Sequence, residues 1–171
     1  KRNGRGNIFN ALLKKYGIYN KRNLLRCISI YRKHKPSILI NERVIDLLSV
    51  LGREHSLYLV TDGNKLVQKN KVDALGIKKL FRRIFITHRY GIKNAKPSLY
   101  CFKKIKEIEK CNWSDMIYIG DNPNKDFVNL NKVGAKTVRI MNGSYKRIKA
   151  KKGYDANISY TSITRFLNDY A

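Results

Sequence analysis

Two carboxylates stand five positions apart in Gly120-Asp121-Asn122-Pro123-Asn124-Lys125-Asp126, in a chain of 171 residues with only 12 acids. Hard cations such as Mg²⁺ bind through one or two carboxylates and keep several waters. Asp121 on a loop and Asp126 in the first turn of a following helix could both reach one ion or its water shell. The alternative is a helix cap at Asn122 or Asn124 with Asp126 as a dipole partner. Thr61 follows the apolar run Leu57-Tyr58-Leu59-Val60 and leads into Asp62-Gly63. Its hydroxyl could donate to a phosphoryl oxygen, although Thr-Asp-Gly is also ordinary turn chemistry. Lys96 precedes Pro97, where an ammonium could meet an anion at the mouth of a helix. Taken singly, it reads equally as a solvated surface lysine.

The elements that must position these groups alternate between helix and strand periods, which predicts an α/β fold with a mostly parallel sheet. Residues 1–35 read as helical and basic, with Ile8, Leu12, Leu13 and Tyr16 on one stripe and Leu24, Ile28 and Tyr31 on another. Gly17 is the expected end of the first helix, and Pro36 closes the region. Gly4-x-Gly6 lacks a preceding strand and a third glycine, so it is no dinucleotide loop. Val44, Ile45, Leu47, Leu48 and Leu51 form one helical face expected to stop at Gly52. Strands are predicted at 57–60, 84–86, 116–119 and 137–140. Helices are predicted at 64–75, beyond Pro97 with Leu99, Phe102, Ile105 and Ile108 inward, at 124–133, and at 159–168. A polar loop is expected through Ala95. Ligands of open α/β sheets bind beyond the carboxyl ends of strands, where Thr61 and Gly120-Asp121 fall.

Lys and Arg number 37, giving a net charge of +25. Such a charge invites nucleic-acid binding by counterion release, but that reading needs the charge concentrated on one face. Here the cations are scattered, and Lys, Asn, Ile and Tyr abound as AT-rich coding would produce. The densest run is Lys146-Arg147-Ile148-Lys149-Ala150-Lys151-Lys152. The field favours anionic ligands, phosphorylated metabolites among them. Cys27, Cys101 and Cys111 show no Cys-x-x-Cys spacing, so neither zinc nor a disulfide framework is indicated, and free thiols point to a reducing cytoplasm. His34, His55 and His88 are unclustered. No apolar run is long enough for a membrane span. The first residue is Lys with no apolar signal segment after it, which suggests a true start upstream.

The order strand–Thr61, then Lys96-Pro97 about 35 residues on, then strand–Gly120-Asp121-x-x-x-x-Asp126 resembles the haloacid dehalogenase-like (HAD) superfamily over roughly residues 36–142. Tyr31-Arg32-Lys33-His34-Lys35-Pro36 also looks like the exit from the helical cap of some members. The resemblance implies a Rossmann-like parallel sheet with flanking helices at 37–171 and a partial helical cap at 1–36. It also implies a Mg²⁺-dependent phosphatase-type hydrolase of small phosphorylated metabolites. By this resemblance Thr61, with Asp62 and Gly63, holds the phosphoryl group, and Lys96 offsets its charge. Asp121 binds the ion, with Asp126 supporting the ion or orienting Lys96.

The superfamily's first motif, an Asp-x-Asp pair after the first strand, occurs nowhere in this sequence. The first of that pair attacks phosphorus in the family, and the second is the general acid and base. Without them the chain cannot run the family chemistry, and the expected account is a fragment missing its first, central strand. A chain so opened is expected to be unstable, dimerised or rearranged, and its oligomeric state is not legible. Two other readings stand beside this one: a catalytically inactive relative that binds an anion or a partner, and, least favoured, a basic nucleic-acid-binding module.

Overall fold

The computed structural model describes residues 7–170, so the expectations for Lys1–Gly6 lie outside the described residues. Seven α-helices and five short strands alternate through them. Helix α1 (Ile8–Lys15) ends before Gly17, whose φ of 67° is left-handed backbone that favours glycine. The Asn20 side chain accepts from Asn23 N to start α2 (Lys21–Lys33). Asn41 caps α3 (Glu42–Glu54) in the same manner. This helix runs past Gly52 to Glu54, since a lone glycine inside a helix costs only about 1 kcal/mol.

Strand β1 (Tyr58–Thr61) leads through Asp62-Gly63 into α4 (Lys65–Leu75). Its parallel partner β2 (Arg83–Ile86) follows a 3₁₀ turn at Ile77–Leu80. The polar loop expected up to Ala95 holds two 3₁₀ turns, Thr87–Tyr90 and Ile92–Asn94. Helix α5 (Tyr100–Glu109) begins three residues after Pro97, not at it. It buries Cys101, Phe102 and Ile105, whereas Ile108 faces solvent. Strand β3 (Ile117–Gly120) precedes α6 (Val128–Lys132), which is shorter than the expected 124–133 because Asn122–Phe127 form a compact turn instead. Strand β4 (Lys136–Ile140) follows. The expected helix at 159–168 divides into β5 (Ile158–Tyr160) and α7 (Ile163–Tyr170).

All strand pairs are parallel, but the sheet is in two pieces: β1 with β2, and β3 with β4 and β5. Among the described residues no strand joins β1 to β3. Helices bridge the division. On one face α5 packs Phe102 edge-on against Tyr118 of β3, ring centroids 5.0 Å apart, in a cluster that also holds Phe85 of β2 and Val60 of β1. A second cluster joins Val44 of α3 to Val138 and Ile140 of β4 and to Phe166 and Leu167 of α7. Helix α3 also contacts the Ile77–Leu80 turn of the other piece.

Helices α1 and α2 pack on each other, and α2 packs on α4. Asn70 of α4 donates to the His34 carbonyl at 2.9 Å. Of the expected stripes only Leu13 is fully buried; Ile8, Leu12, Tyr16 and Tyr31 are exposed, as are Leu25 and Ile30. After β4, residues 143–155 wrap around Arg139, which is 2% exposed. Its guanidinium donates to the Asp155 carboxylate and to the carbonyls of Tyr145 and Ile148.

Candidate active site

Thr61 ends β1 and Gly120 ends β3, so both stand at carboxyl edges on either side of the division. The loop after β3 is organised by Asp126, whose side chain is 2% exposed. Its Oδ2 accepts from the backbone N–H groups of Asp121 at 3.2 Å and Asn122 at 2.9 Å. This close fold-back is why position 120 is glycine: a Cβ there would lie 2.7 Å from Asp126 Oδ2. Asp126 Oδ1 faces Lys96 Nζ at 2.9 Å.

Lys96 reaches this loop from the far side of a cis Lys96–Pro97 bond. Its ammonium also donates to the Tyr118 hydroxyl at 2.8 Å. Burial works against its charge, but the Tyr118 and Asp126 oxygens outweigh that and hold the ammonium above the usual lysine range. Burial is the main reason that the Tyr118 hydroxyl is pushed up to about 12, so it stays protonated beside Lys96. Patterning alone does not single out Tyr118. The period-two alternation of the strand nevertheless puts it on the same face as Gly120.

Asp62 ties the Thr61 loop to the rest. Its Oδ1 accepts from Thr87 Oγ1 at 2.9 Å and from the backbone N–H of Lys96 at 3.1 Å. Its Oδ2 pairs with Lys125, which reaches across the division from the Asp121 loop. Burial opposes the charge of Asp62, but the Lys125 and Lys96 donors prevail and lower its pKa. Its side chain is thus committed to the scaffold. Thr61 Oγ1 donates to Gln68 Oε1 of α4 at 2.9 Å. Neither Lys125 nor Gln68 stands out in the sequence: Lys125 depends on a partner 63 positions away, and Gln68 on the turn that folds α4 back beside Thr61.

Lys96, Asp126 and the Asp121 backbone are linked by direct contacts, whereas Thr61 joins them only through its chain neighbour Asp62, its own hydroxyl being bonded to Gln68. Among the described residues no group of three or more His, Cys, Asp or Glu side chains is gathered to hold a metal ion. Asp121 offers an exposed carboxylate. Partial burial, with the Asp126 carboxylate close by, raises its pKa. A site where a second negative charge is poorly tolerated suits a hard cation that keeps most of its waters. Asp126 Oδ2 is taken up by the two N–H groups, whereas Oδ1 has the Lys96 ion pair but no hydrogen bond of its own.

The family model described as haloacid dehalogenase-like hydrolase matches residues 4–140. The chain belongs to this family. A glyceraldehyde 3-phosphate phosphatase of Methanocaldococcus jannaschii is 27% identical over 157 residues, which cover 90% of this chain and 68% of that protein. One of Methanopyrus kandleri is 28% identical over 96 residues, or 56% of this chain and 40% of that protein. The chain thus spans about two thirds of the first relative and two fifths of the second. A HAD hydrolase of Bacillus subtilis, solved bound to magnesium, superposes with a TM-score of 0.73 at 20% identity, covering 99% of this chain and 74% of that one. The fold is accordingly the Rossmann-type α/β fold of HAD hydrolases. Its relatives by sequence are phosphatases.

Proposed function

We propose that this chain carries the phosphate-orienting and charge-balancing side of a Mg²⁺-dependent phosphomonoesterase for small phosphorylated metabolites. The observation that carries the reading is the Lys96 ammonium, paired with Asp126 and Tyr118 while its own backbone N–H is bonded to the carboxylate next to Thr61. In this reading the Thr61 hydroxyl, the Lys96 ammonium and the Asp121 loop serve one ligand at the edge where such sheets bind ligands. Phosphoryl transfer is catalysed mainly by positioning and electrostatic stabilisation, which these groups supply.

In this reading Thr61 donates its hydroxyl proton to a phosphoryl oxygen, and the N–H groups of Asp62 and Gly63 add donors. Lys96 offsets the charge gathering on the phosphoryl oxygens, with Asp126 orienting it. Asp121 would hold Mg²⁺, and the ion would neutralise charge on the transferred group. The nucleophile belongs on a strand between β1 and β3, carrying the Asp-x-Asp pair that these 171 residues lack. An aspartyl-phosphate formed there would divide one hard displacement into two easier ones.

Residues 1–36 are part of a cap in this account. The packing of α2 on α4, the helix that follows the Thr61 loop, is consistent with that. A reducing cytoplasm is in keeping with the free thiols of Cys27, Cys101 and Cys111. The second reading, a binding relative without catalysis, rests on the same missing Asp-x-Asp. The test is hydrolysis of p-nitrophenyl phosphate by a polypeptide in which the inter-sheet strand is present. Turnover in Mg²⁺, its loss in chelator and its loss in Asp121→Asn are expected. Undiminished turnover in Asp121→Asn contradicts the assignment.

A further inference from the structure

Thr61 has one hydroxyl proton, and that proton points at Gln68 Oε1, 2.9 Å away. In this state the hydroxyl turns only lone pairs toward an approaching phosphate, which repels rather than binds it. The Gln68 amide also lies over the phosphate loop itself. A Cβ built on Gly63 would come within 2.7 Å of Gln68 Nε2. At the amino terminus of α4, Asn64 Oδ1 already accepts from the N–H groups of Leu66 and Val67.

We propose that Gln68 is a positioning residue that decides which way the Thr61 proton points. Without an anion, Oε1 accepts it. When phosphate arrives, the amide turns over, Nε2 donates to Thr61 Oγ1, and the Thr61 hydroxyl, keeping its proton, donates its hydrogen bond to a phosphoryl oxygen instead. A primary amide can serve both states because it carries an acceptor oxygen at one end and a donor NH₂ at the other. A carboxylate cannot make this exchange, because it accepts and never donates while ionised. The inference rests on the reading of Thr61 as a phosphate ligand and adds a residue outside the Thr61, Lys96 and Asp121 set.

The charged groups around α4 set the background for a pH test. They are Lys65, Lys69, Lys71 and Asp73 on the helix, Asp62 at its entry, and Arg32, Lys33 and His34 at the α2 end. Lys78 and Lys79 on the Ile77–Leu80 turn, Arg83 on β2, and His88 and Arg89 on the Thr87–Tyr90 turn complete the set. They are common to every variant, as is the titration of phosphate, so the ratio of each variant's Kd to the wild-type Kd isolates position 68.

The experiment is calorimetric titration of the chain with inorganic phosphate near pH 8 and near pH 5, for wild type, Thr61→Val, Gln68→Met and Gln68→Glu, with melting curves to verify folding. Gln68→Met is expected to weaken binding about threefold at both pH values, the loss of one neutral hydrogen bond. Gln68→Glu is expected to weaken it about tenfold or more near pH 8, with the ratio falling toward that of Gln68→Met near pH 5 as the new carboxyl protonates. Equal, pH-independent ratios for the two Gln68 variants, or wild-type binding by both, overturn the role of Gln68 while Thr61→Val still fails to bind. Phosphate binding by Thr61→Val as tight as wild type, or none by the wild type, overturns the phosphate reading and this inference together.

Discussion

Lys96 and Asp126 are the most deeply held ion pair at the site, with side chains 11% and 2% exposed. Removing one partner of a buried pair leaves the other charge unmatched, at a cost of about 3–5 kcal/mol. Lys96→Met is therefore expected to lower stability by about 3 kcal/mol or more in denaturant unfolding, and a cost below about 1 kcal/mol contradicts the pairing. Asp62 responds to acid. Its folded-state pKa is depressed by Lys125 and Lys96, so its contribution is present above the ordinary carboxylate range and is lost as pH falls through the folded value. Asp62→Asn should destabilise the chain by about 1–3 kcal/mol near neutrality, with the deficit vanishing in strong acid. A deficit unchanged from neutral pH to acid contradicts that. Thr61, Lys96, Asp121 and Asp126 were legible in the sequence because each follows a strand or precedes a helix at a recognisable interval. Tyr118, Lys125 and Gln68 were not, since what matters in them is a partner 22, 63 or 7 positions away that no local period announces.

Among the elements, α3 and α4, each opened by an asparagine cap, lie close to where the sequence puts them, α3 by its apolar stripe and α4 by the turn before it and Gly76 after it. The misread segments have a common cause. Ile158-Ser159-Tyr160 is a strand of three residues that runs straight toward the apolar positions of α7, so one helical period fits both. In α6 the start was hidden because Asp126 accepts backbone N–H groups and spends Asn122–Phe127 on a turn. The segment 143–155 has no regular element of its own beyond a 3₁₀ turn and depends on Arg139 for its course. Arg139→Met removes four donated hydrogen bonds, so it is expected to make Lys146–Lys152 the first site of limited trypsin cleavage. Cleavage there at the wild-type rate contradicts this anchoring role.

For the whole molecule, the division of the sheet is the feature from which the rest follows. A parallel sheet is ordinarily continuous and covered on both faces. Here helices cover both faces, yet β1 and β3 each keep an edge with no strand on it among the described residues. An open strand edge is a ready template for pairing, and the exposed Leu25 and Ile30 add apolar surface on α2. Thr61 and Asp121 border this division, and Asp62 with Lys125 spans it, so the proposed phosphate site lies at the opening between the two groups of strands. The most direct measurement is a crystal structure of the chain with Mg²⁺ and tungstate, an anion located by its anomalous scattering. The account predicts tungstate within hydrogen-bonding distance of both Thr61 Oγ1 and Lys96 Nζ, with the cation on Asp121. Tungstate bound away from Thr61 and Lys96, or touching only one of them, would contradict it.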